Sequence, residues 1–233
     1  MRTRCVRAAF AALVCIALAI PACNRSKRGA ADYFPLKQGM TWTFRFATSS
    51  GAGGKLITTN LAPRKVEGVT AVGQRNVGAA NPFTEYYAEQ RDGIRYVARQ
   101  TPKGLKSHLS DHAYVIKYPI KPGTTWKEVD RTMGGTVFSA KTMIESVSDT
   151  VKVPAGTFKG CIRVRETGVA SPVKSVAAVR PAAATAGHEI AVEDYYWLAP
   201  GVGVIKATHR ETEGKGVLAR SIGIELDLMH FKQ

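Results

Sequence analysis

The chain has 233 residues and carries 33 Lys and Arg against 18 Asp and Glu, a formal net charge of +15. This length is enough for one domain with a well-filled core. Such an excess of basic residues indicates anionic partners: nucleic acid inside the cytoplasm, or phospholipid, lipopolysaccharide and cell-wall polymers outside it.

Residues 1–22 have the layout of a cleaved secretory signal peptide. Arg2, Arg4 and Arg7 form a basic start, and residues 8–20 are an unbroken apolar run. This run is too short for a transmembrane helix, which needs about 20 residues. Export excludes nucleic acid as the normal partner. The signal removes three basic residues and no acidic ones, so the mature chain has a net charge of +12.

The tetrapeptide Ile20-Pro21-Ala22-Cys23 ends the apolar run and resembles the lipobox of bacterial lipoproteins, in which the cysteine receives lipid. The alternative is ordinary signal cleavage near Ala22. Acyl chains on Cys23 would anchor the chain to a membrane, with residues 23–31 as a hydrophilic tether. Asn24 is not an aspartate, which favours the outer membrane with the domain facing the periplasm.

Period-two alternation of apolar and polar residues recurs over residues 32–233 and predicts about eight to eleven antiparallel strands. Trp42 and Phe44 alternate with polar neighbours near the start, as do Leu226 and Leu228 near the end. Each such strand buries one face and wets the other.

Turns separate these strands, and helical periodicity is almost absent. Glu67-Gly68 and Asp92-Gly93 predict tight hairpins. No segment of the mature chain keeps an apolar helical period over three turns, so we expect at most one short helix, at residues 103–112. Residues 168–189, rich in Ala, Val and Pro, predict a mobile loop between two strands.

The segment from Pro35 to Trp42 is echoed 84 residues later by the segment from Pro119 to Trp126. Each copy places a turn-forming glycine three residues before a tryptophan at the entrance of a strand. We interpret this echo as a repeated local solution to strand entry. The alternative is an ancient duplication of a half-domain.

Cys161 is the one cysteine that remains after Cys5 and Cys15 leave with the signal and Cys23 is acylated, so no intramolecular disulfide is expected. It stands beside Ile162 in an apparent strand. This position predicts a buried and chemically inert thiol.

Three motifs carry a resemblance to a group of poorly characterised bacterial lipoproteins. They are aromatic-Pro-Leu at 34–36 with Gly39 and Trp42, VPAGTF at 153–158 with Cys161, and APGVG at 199–203. That group is similar in general shape to the half-barrel Lol-type lipoprotein carriers, whose hollow binds acyl chains. The resemblance implies an all-β fold with minor α content: a single curved antiparallel sheet, or half-open β-barrel.

Candidate catalytic and metal-binding patterns are weak. His108 and His112 have a His-x₃-His spacing, but no helix is convincing there and no third ligand can be named. No Gly-x-Ser-x-Gly elbow is present. Glu193 and Asp194 are neighbours in a strand and point to opposite faces, so they cannot share a substrate. We therefore predict no catalytic residue, no metal site and no cofactor.

The aromatic residues are more informative, because those at inward positions can line a hollow. The candidate lining residues are Trp42, Phe44, Tyr96, Trp126 and Tyr196. The hypothesis is a non-catalytic, envelope-anchored binding or scaffold module for a lipid-like apolar ligand or another envelope component. The alternatives are a hydrolase acting on cell-wall or lipid material, and a purely structural basic lipoprotein held to anionic polymers.

Overall fold

The computed structural model describes residues 29–78, 81–107, 113–133, 136–170, 190–214 and 219–233. The signal segment, Cys23, His108 and His112 lie outside these residues, as does most of the loop expected at 168–189. Within the described parts of the chain, no helix is both long and apolar enough to cross a membrane.

In the described parts of the chain, one short helix precedes thirteen strands. The helix is α1 (Ala30–Tyr33), and the strands are β1 (Thr41–Thr48), β2 (Gly53–Val66), β3 (Val69–Gly78), β4 (Phe83–Gln90), β5 (Gly93–Thr101), β6 (Gly104–Ser107), β7 (Tyr114–Lys117), β8 (Thr125–Met133), β9 (Thr136–Val153), β10 (Gly156–Ala170), β11 (Ile190–Ala199), β12 (Gly203–Glu213) and β13 (Arg220–Lys232). The predicted turn at Glu67-Gly68 joins β2 to β3. The turn that joins β4 to β5 falls one residue earlier than predicted, at Arg91-Asp92, because Gly93 pairs with Gln90 as the first residue of β5.

All strands belong to one antiparallel sheet, as the sequence predicts. Its order is β6-β5-β4-β3-β2-β1-β13-β12-β11-β10-β9-β8. Two six-stranded meanders, β1–β6 and β8–β13, are therefore joined through the pairing of β1 with β13. Strand β7 returns to pair with β5 beside β6. The sheet stays open between the first meander and β8, so the molecule is a curved sheet and not a closed barrel.

The two segments related by 84 residues are also similar in the hydrogen bonds that they make to the next strand. The Gly39 N–H donates to the Asn60 carbonyl at 2.9 Å, and Gly123 donates to the carbonyl of Ile144, 84 residues after Asn60, at 2.8 Å. Both glycines have positive φ. In return, the N–H groups of Asn60 and Ile144 donate to Met40 and Thr124, at 2.9 Å each. The halves thus share strand order and terminal hydrogen bonds, a relationship that favours the half-domain duplication over the local interpretation.

The main core lies where both meanders begin and bridges the open side of the sheet. Tyr114 of β7, Trp126 of β8 and Ile144 of β9 are buried there together with Tyr33 and Phe34. The Trp126 indole N–H donates to the Tyr114 carbonyl at 3.1 Å, which ties β8 to β7. We call this part of the molecule the α1 end; strands β1, β5, β8 and β12 all start from it.

Three sequence-based boundaries need correction. Residues 104–107 form strand β6 and not a helix, because Lys106 pairs with Arg99 across a hairpin in which Gly104 has a φ of 126°. The folded domain begins earlier than the expected residue 32, since Ala30 is fully buried in the core. The expected loop begins later than residue 168, because β10 continues to Ala170 through its pairing with β11.

Candidate functional site

The concave face of the sheet encloses a hollow of about 820 Å³ that reaches both meanders. This volume falls within the ~300–1,000 Å³ of small-molecule sites. Alternation places every second side chain of a strand on this face. The hollow reaches solvent at the hairpin between β5 and β6, where its lining residues Lys103, Leu105 and Lys106 are exposed. We call this opening the mouth.

Four of the five aromatic residues predicted to line a hollow do line it: Trp42, Phe44, Tyr96 and Tyr196. They come from β1, β5 and β11, so the fold brings them together from both halves. Trp126 is not among the lining residues. It lies in the main core, 5% exposed, because β7 covers it.

At the α1 end, the aromatic side chains that line the hollow are held in place by contacts with one another and by a hydrogen bond. The ring centroids of Phe34 and Tyr87 are 4.9 Å apart in an edge-to-face arrangement, and those of Tyr87 and Tyr96 are 5.5 Å apart. The Trp42 indole N–H donates to the Val202 carbonyl at 2.6 Å. Ring packing and a buried hydrogen bond fix these side chains before a ligand arrives. The entropic cost of ordering them on binding is therefore small.

A few polar groups interrupt this apolar lining. The Thr58 hydroxyl donates to Asn76 Oδ1 at 2.7 Å. The Glu85 carboxylate accepts from the hydroxyls of Tyr87, at 2.9 Å, and Tyr96, at 3.4 Å. Such bonds are needed wherever a polar group is removed from water. The lining is therefore amphipathic, with aromatic side chains at the α1 end and polar groups spread above them.

A buried charged row crosses the second meander on the same face. Glu166 pairs with Asp194 and Asp194 with His209 across β10, β11 and β12, which places the three side chains in line. The His209 Nδ1 lies 2.6 Å from Asp194 Oδ1, and its Nε2 lies 3.4 Å from Glu211 Oε1. Glu166 lines the hollow and is 2% exposed.

His209 is cationic at neutral pH in this setting. Burial lowers its pKa, but the hydrogen bonds to Asp194 and Glu211 outweigh that effect and raise the pKa to about 9. A histidine that keeps its proton at pH 7 cannot serve as a general base. This residue was not predicted from the sequence. The pattern that could have indicated it is a histidine at a position of β12 whose side chain points to the same face as Ala207.

The convex face of the second meander carries paired charges of both signs. Arg165 binds Glu193 at 2.6 Å, and Arg163 lies 3.2 Å from Glu145. Glu193 is on this face while its neighbour Asp194 is buried on the other, as the sequence predicts. A face with alternating signs does not form a single-signed basic surface.

Cys161 is fully buried, as predicted from its strand. Burial, followed by the charge of Asp149, raises the pKa of its thiol to about 11. The thiolate is the reactive form of cysteine, so this thiol is inert near neutral pH.

Metal binding finds no support in the described part of the chain, where no three His, Cys, Asp or Glu side chains are grouped as a metal ion would need. His108 and His112, the pair considered from the sequence, lie outside that part.

No family model and no curated protein matches the chain. Among solved structures, it is similar to a protein of Bacteroides fragilis NCTC 9343 assigned as exported and having a YmcC-like fold. That match has 14% identity and a TM-score of 0.46, and covers 86% of this chain and 99% of the other. A protein of Parabacteroides distasonis ATCC 8503 assigned as a lipoprotein matches with 15% identity and a TM-score of 0.43, covering 86% and 98%. Both likenesses are too distant to transfer a function.

Proposed function

We propose that the chain is a non-catalytic lipoprotein of the cell envelope that binds one acyl-chain-bearing amphiphile in its hollow. The observation that carries this proposal is the preformed hollow of about 820 Å³, lined by aromatic residues and open to solvent at one end. Burying an acyl chain against such a wall stabilises the complex by about 0.8 kcal/mol per CH₂ group.

The anchoring part of the proposal rests on the N-terminal sequence. A basic start, an apolar run and the lipobox-like Ile20-Pro21-Ala22-Cys23 supply the export signal and the lipid attachment site. The absence of aspartate after Cys23 supports the outer membrane, with the domain in the periplasm.

The two alternatives have less support from the described residues. A hydrolase needs an activated nucleophile or a base that titrates near pH 7. His209 and Cys161, two buried residues of the types that most often serve as base and nucleophile, have pKa values of about 9 and about 11. An electrostatic scaffold needs a single-signed basic face, whereas the convex face of the second meander carries ion pairs.

Native mass spectrometry of the full chain carrying Cys23→Ser, purified from its host, tests ligand binding without the anchor. We expect a co-purifying amphiphile. Ala207→Trp fills the hollow from its inner wall, so the bound mass should disappear. Leu56→Trp fills the hollow from another lining position. It serves as the test if Ala207→Trp does not fold. Ala47→Trp, on the exposed side of β1, is the matched control and should retain the ligand.

The proposal fails if no variant carries a bound mass, or if the mass persists when both filling variants are folded. Circular dichroism and thermal unfolding establish folding in each case. Turnover of a co-purified lipid by the wild-type chain, lost in Glu166→Gln, would support the hydrolase instead.

A further inference from the structure

Three cationic side chains line the hollow at its mouth. Arg99 is on β5, Lys103 is in the turn that follows, and Lys106 is on β6. The two lysines are exposed, whereas Arg99 is half-buried. The β5–β6 hairpin thus presents three positive charges to whatever occupies the opening.

Arg99 and Lys106 are direct cross-strand partners in the hairpin. Like charges opposite each other on neighbouring strands are destabilising. No ion pair of Arg99, Lys103 or Lys106 is found with any described residue. On the convex face, by contrast, Arg45 binds Asp227 at 3.1 Å and Arg165 binds Glu193 at 2.6 Å. The mouth therefore holds three positive charges that form no ion pair within the described part of the chain.

The guanidinium of Arg99 is oriented before any ligand arrives. Its central carbon lies 4.0 Å from the centroid of the Phe83 ring, and its Nε is buried without a hydrogen-bond partner among the described residues. An unsatisfied buried donor is costly unless an acceptor reaches it. A planar guanidinium stacked on a ring is suited to a phosphate or carboxylate, which accepts two parallel N–H bonds.

The hollow is lined by two acidic side chains, Glu85 and Glu166, against the three basic side chains at its mouth. Glu85 pairs with Arg99 across the strands, but its carboxylate accepts from the hydroxyls of Tyr87 and Tyr96. Glu166 belongs to β10 in the other meander. The basic side chains of the lining thus outnumber the acidic ones, and because all three lie at the β5–β6 hairpin, a bound anion is attracted there.

We infer that the hollow selects an amphiphile with an anionic head group, phosphate or carboxylate, which Arg99, Lys103 and Lys106 bind at the mouth while the acyl chain occupies the aromatic interior. This inference rests on the proposed function and adds the chemical class of the ligand. A zwitterionic head group carries the same phosphate together with a cation, which these three basic side chains repel. The anionic ligand should therefore bind at least about tenfold more tightly than the zwitterionic one, a difference of about 1.4 kcal/mol.

The test compares two probes that share a palmitoyl chain, lysophosphatidylglycerol and lysophosphatidylcholine, each below its micellar concentration. Binding to the full chain carrying Cys23→Ser is measured by calorimetry and tryptophan fluorescence. We expect the wild-type hollow to prefer the anionic probe by about tenfold or more, and this preference to shrink as salt screens the charges. Inorganic phosphate, which lacks the acyl chain, should not bind measurably at millimolar concentration.

Charge-reversal variants identify the residues that cause the preference for the anionic probe. The double variant Lys103→Glu/Lys106→Glu should lose the preference and keep its affinity for the zwitterionic probe. The matched control Lys121→Glu/Lys152→Glu, which makes the same charge change at exposed positions of the α1 end, should keep both affinities. Equal wild-type affinity for the two probes overturns the inference and leaves the proposed function standing. An equal loss in the control, or phosphate binding as tight as the lysolipid, also overturns it. Binding of neither probe overturns the proposed function.

Discussion

The side chains of Asp194, His209 and Glu211 form a buried ionic group on the inner wall of the second meander. Burial of a charge is costly unless partners compensate it, and here one imidazolium lies between two carboxylates. Removal of the histidine takes this cation away from Asp194, which is fully buried. At this scale, stability depends on the protonation of a single ring.

Stability should therefore fall as pH rises through the pKa of His209. The folded-state pKa of about 9 is above the ordinary value of 6.5. The stabilisation is thus complete below about pH 6.5 and is lost between there and pH 9. His209→Gln should cost about 3 kcal/mol of unfolding free energy at pH 6 and less at pH 9. Urea unfolding at both pH values measures this.

His230→Gln is the matched control, since His230 is exposed on β13. It should change the unfolding free energy by less than about 0.5 kcal/mol at either pH. A cost of His209→Gln that stays constant from pH 6 to pH 9 would contradict the ionic interpretation of this group.

At the scale of elements, the docking of β7 against the start of β5 closes the core. Gly93 has a φ of 146°, and a Cβ at this position would lie 2.1 Å from the Ile116 carbonyl oxygen. Gly104, at the start of β6, has a φ of 126° and open space around it. The two glycines thus share a backbone conformation unfavourable to other residues, but only Gly93 is also in close contact with another strand.

Substitution of these glycines separates backbone strain from the packing of β7. Gly104→Ala should cost about 1–3 kcal/mol, the strain of an unfavourable φ. Gly93→Ala should cost at least about 1 kcal/mol more, because β7 must also shift. Thermal unfolding of both variants measures the difference. Equal costs would show that β7 does not resist displacement.

At the scale of the whole molecule, the strand directions separate the tether from the mouth. The described chain begins at Gly29, and α1 packs in the core at the α1 end. The mouth lies at the β5–β6 hairpin, where β5 ends. An extended tether of six residues spans at most about 22 Å, while the eleven residues of β12 rise about 36 Å. Lipid on Cys23 would hold the α1 end nearer the bilayer.

This geometry predicts that the mouth faces away from the membrane that carries the anchor. The acylated protein is reconstituted in vesicles with a fluorophore at Lys121→Cys, near the α1 end, or at Lys103→Cys, at the mouth. Quenchers in the bilayer should reduce the emission of the first label more strongly. Stronger quenching at position 103 would contradict the orientation and indicate that the hollow loads directly from its own membrane.

The lining of the hollow was predictable where local alternation decides it. Trp42 and Phe44 occupy the inward positions of β1, and both line the hollow. Trp126 obeys the same local rule at the matching position of the second half, yet β7 covers it. The return of β7 to β5 is a long-range pairing, which no pattern around Trp126 reveals.

The mouth and the ionic group were not predictable, because each joins residues that are separated in the chain. Arg99 and Lys106 read as ordinary solvated bases until the hairpin places them opposite each other. His209 acquires its elevated pKa from Asp194, fifteen residues earlier. Charge interactions of this kind depend on distances that only the folded chain defines.

By itself, the sequence determined the all-β antiparallel sheet, the hairpin at Glu67-Gly68, a second hairpin to within one residue of Asp92-Gly93, and the burial of Cys161, because alternation and turn geometry are short-range properties. Only the tertiary structure decided that two similar meanders join through β1 and β13 and leave a hollow between them. The β1–β13 pairing joins strands that are far apart in the chain, and the return of β7 to β5 skips a strand, so neither follows from a local pattern.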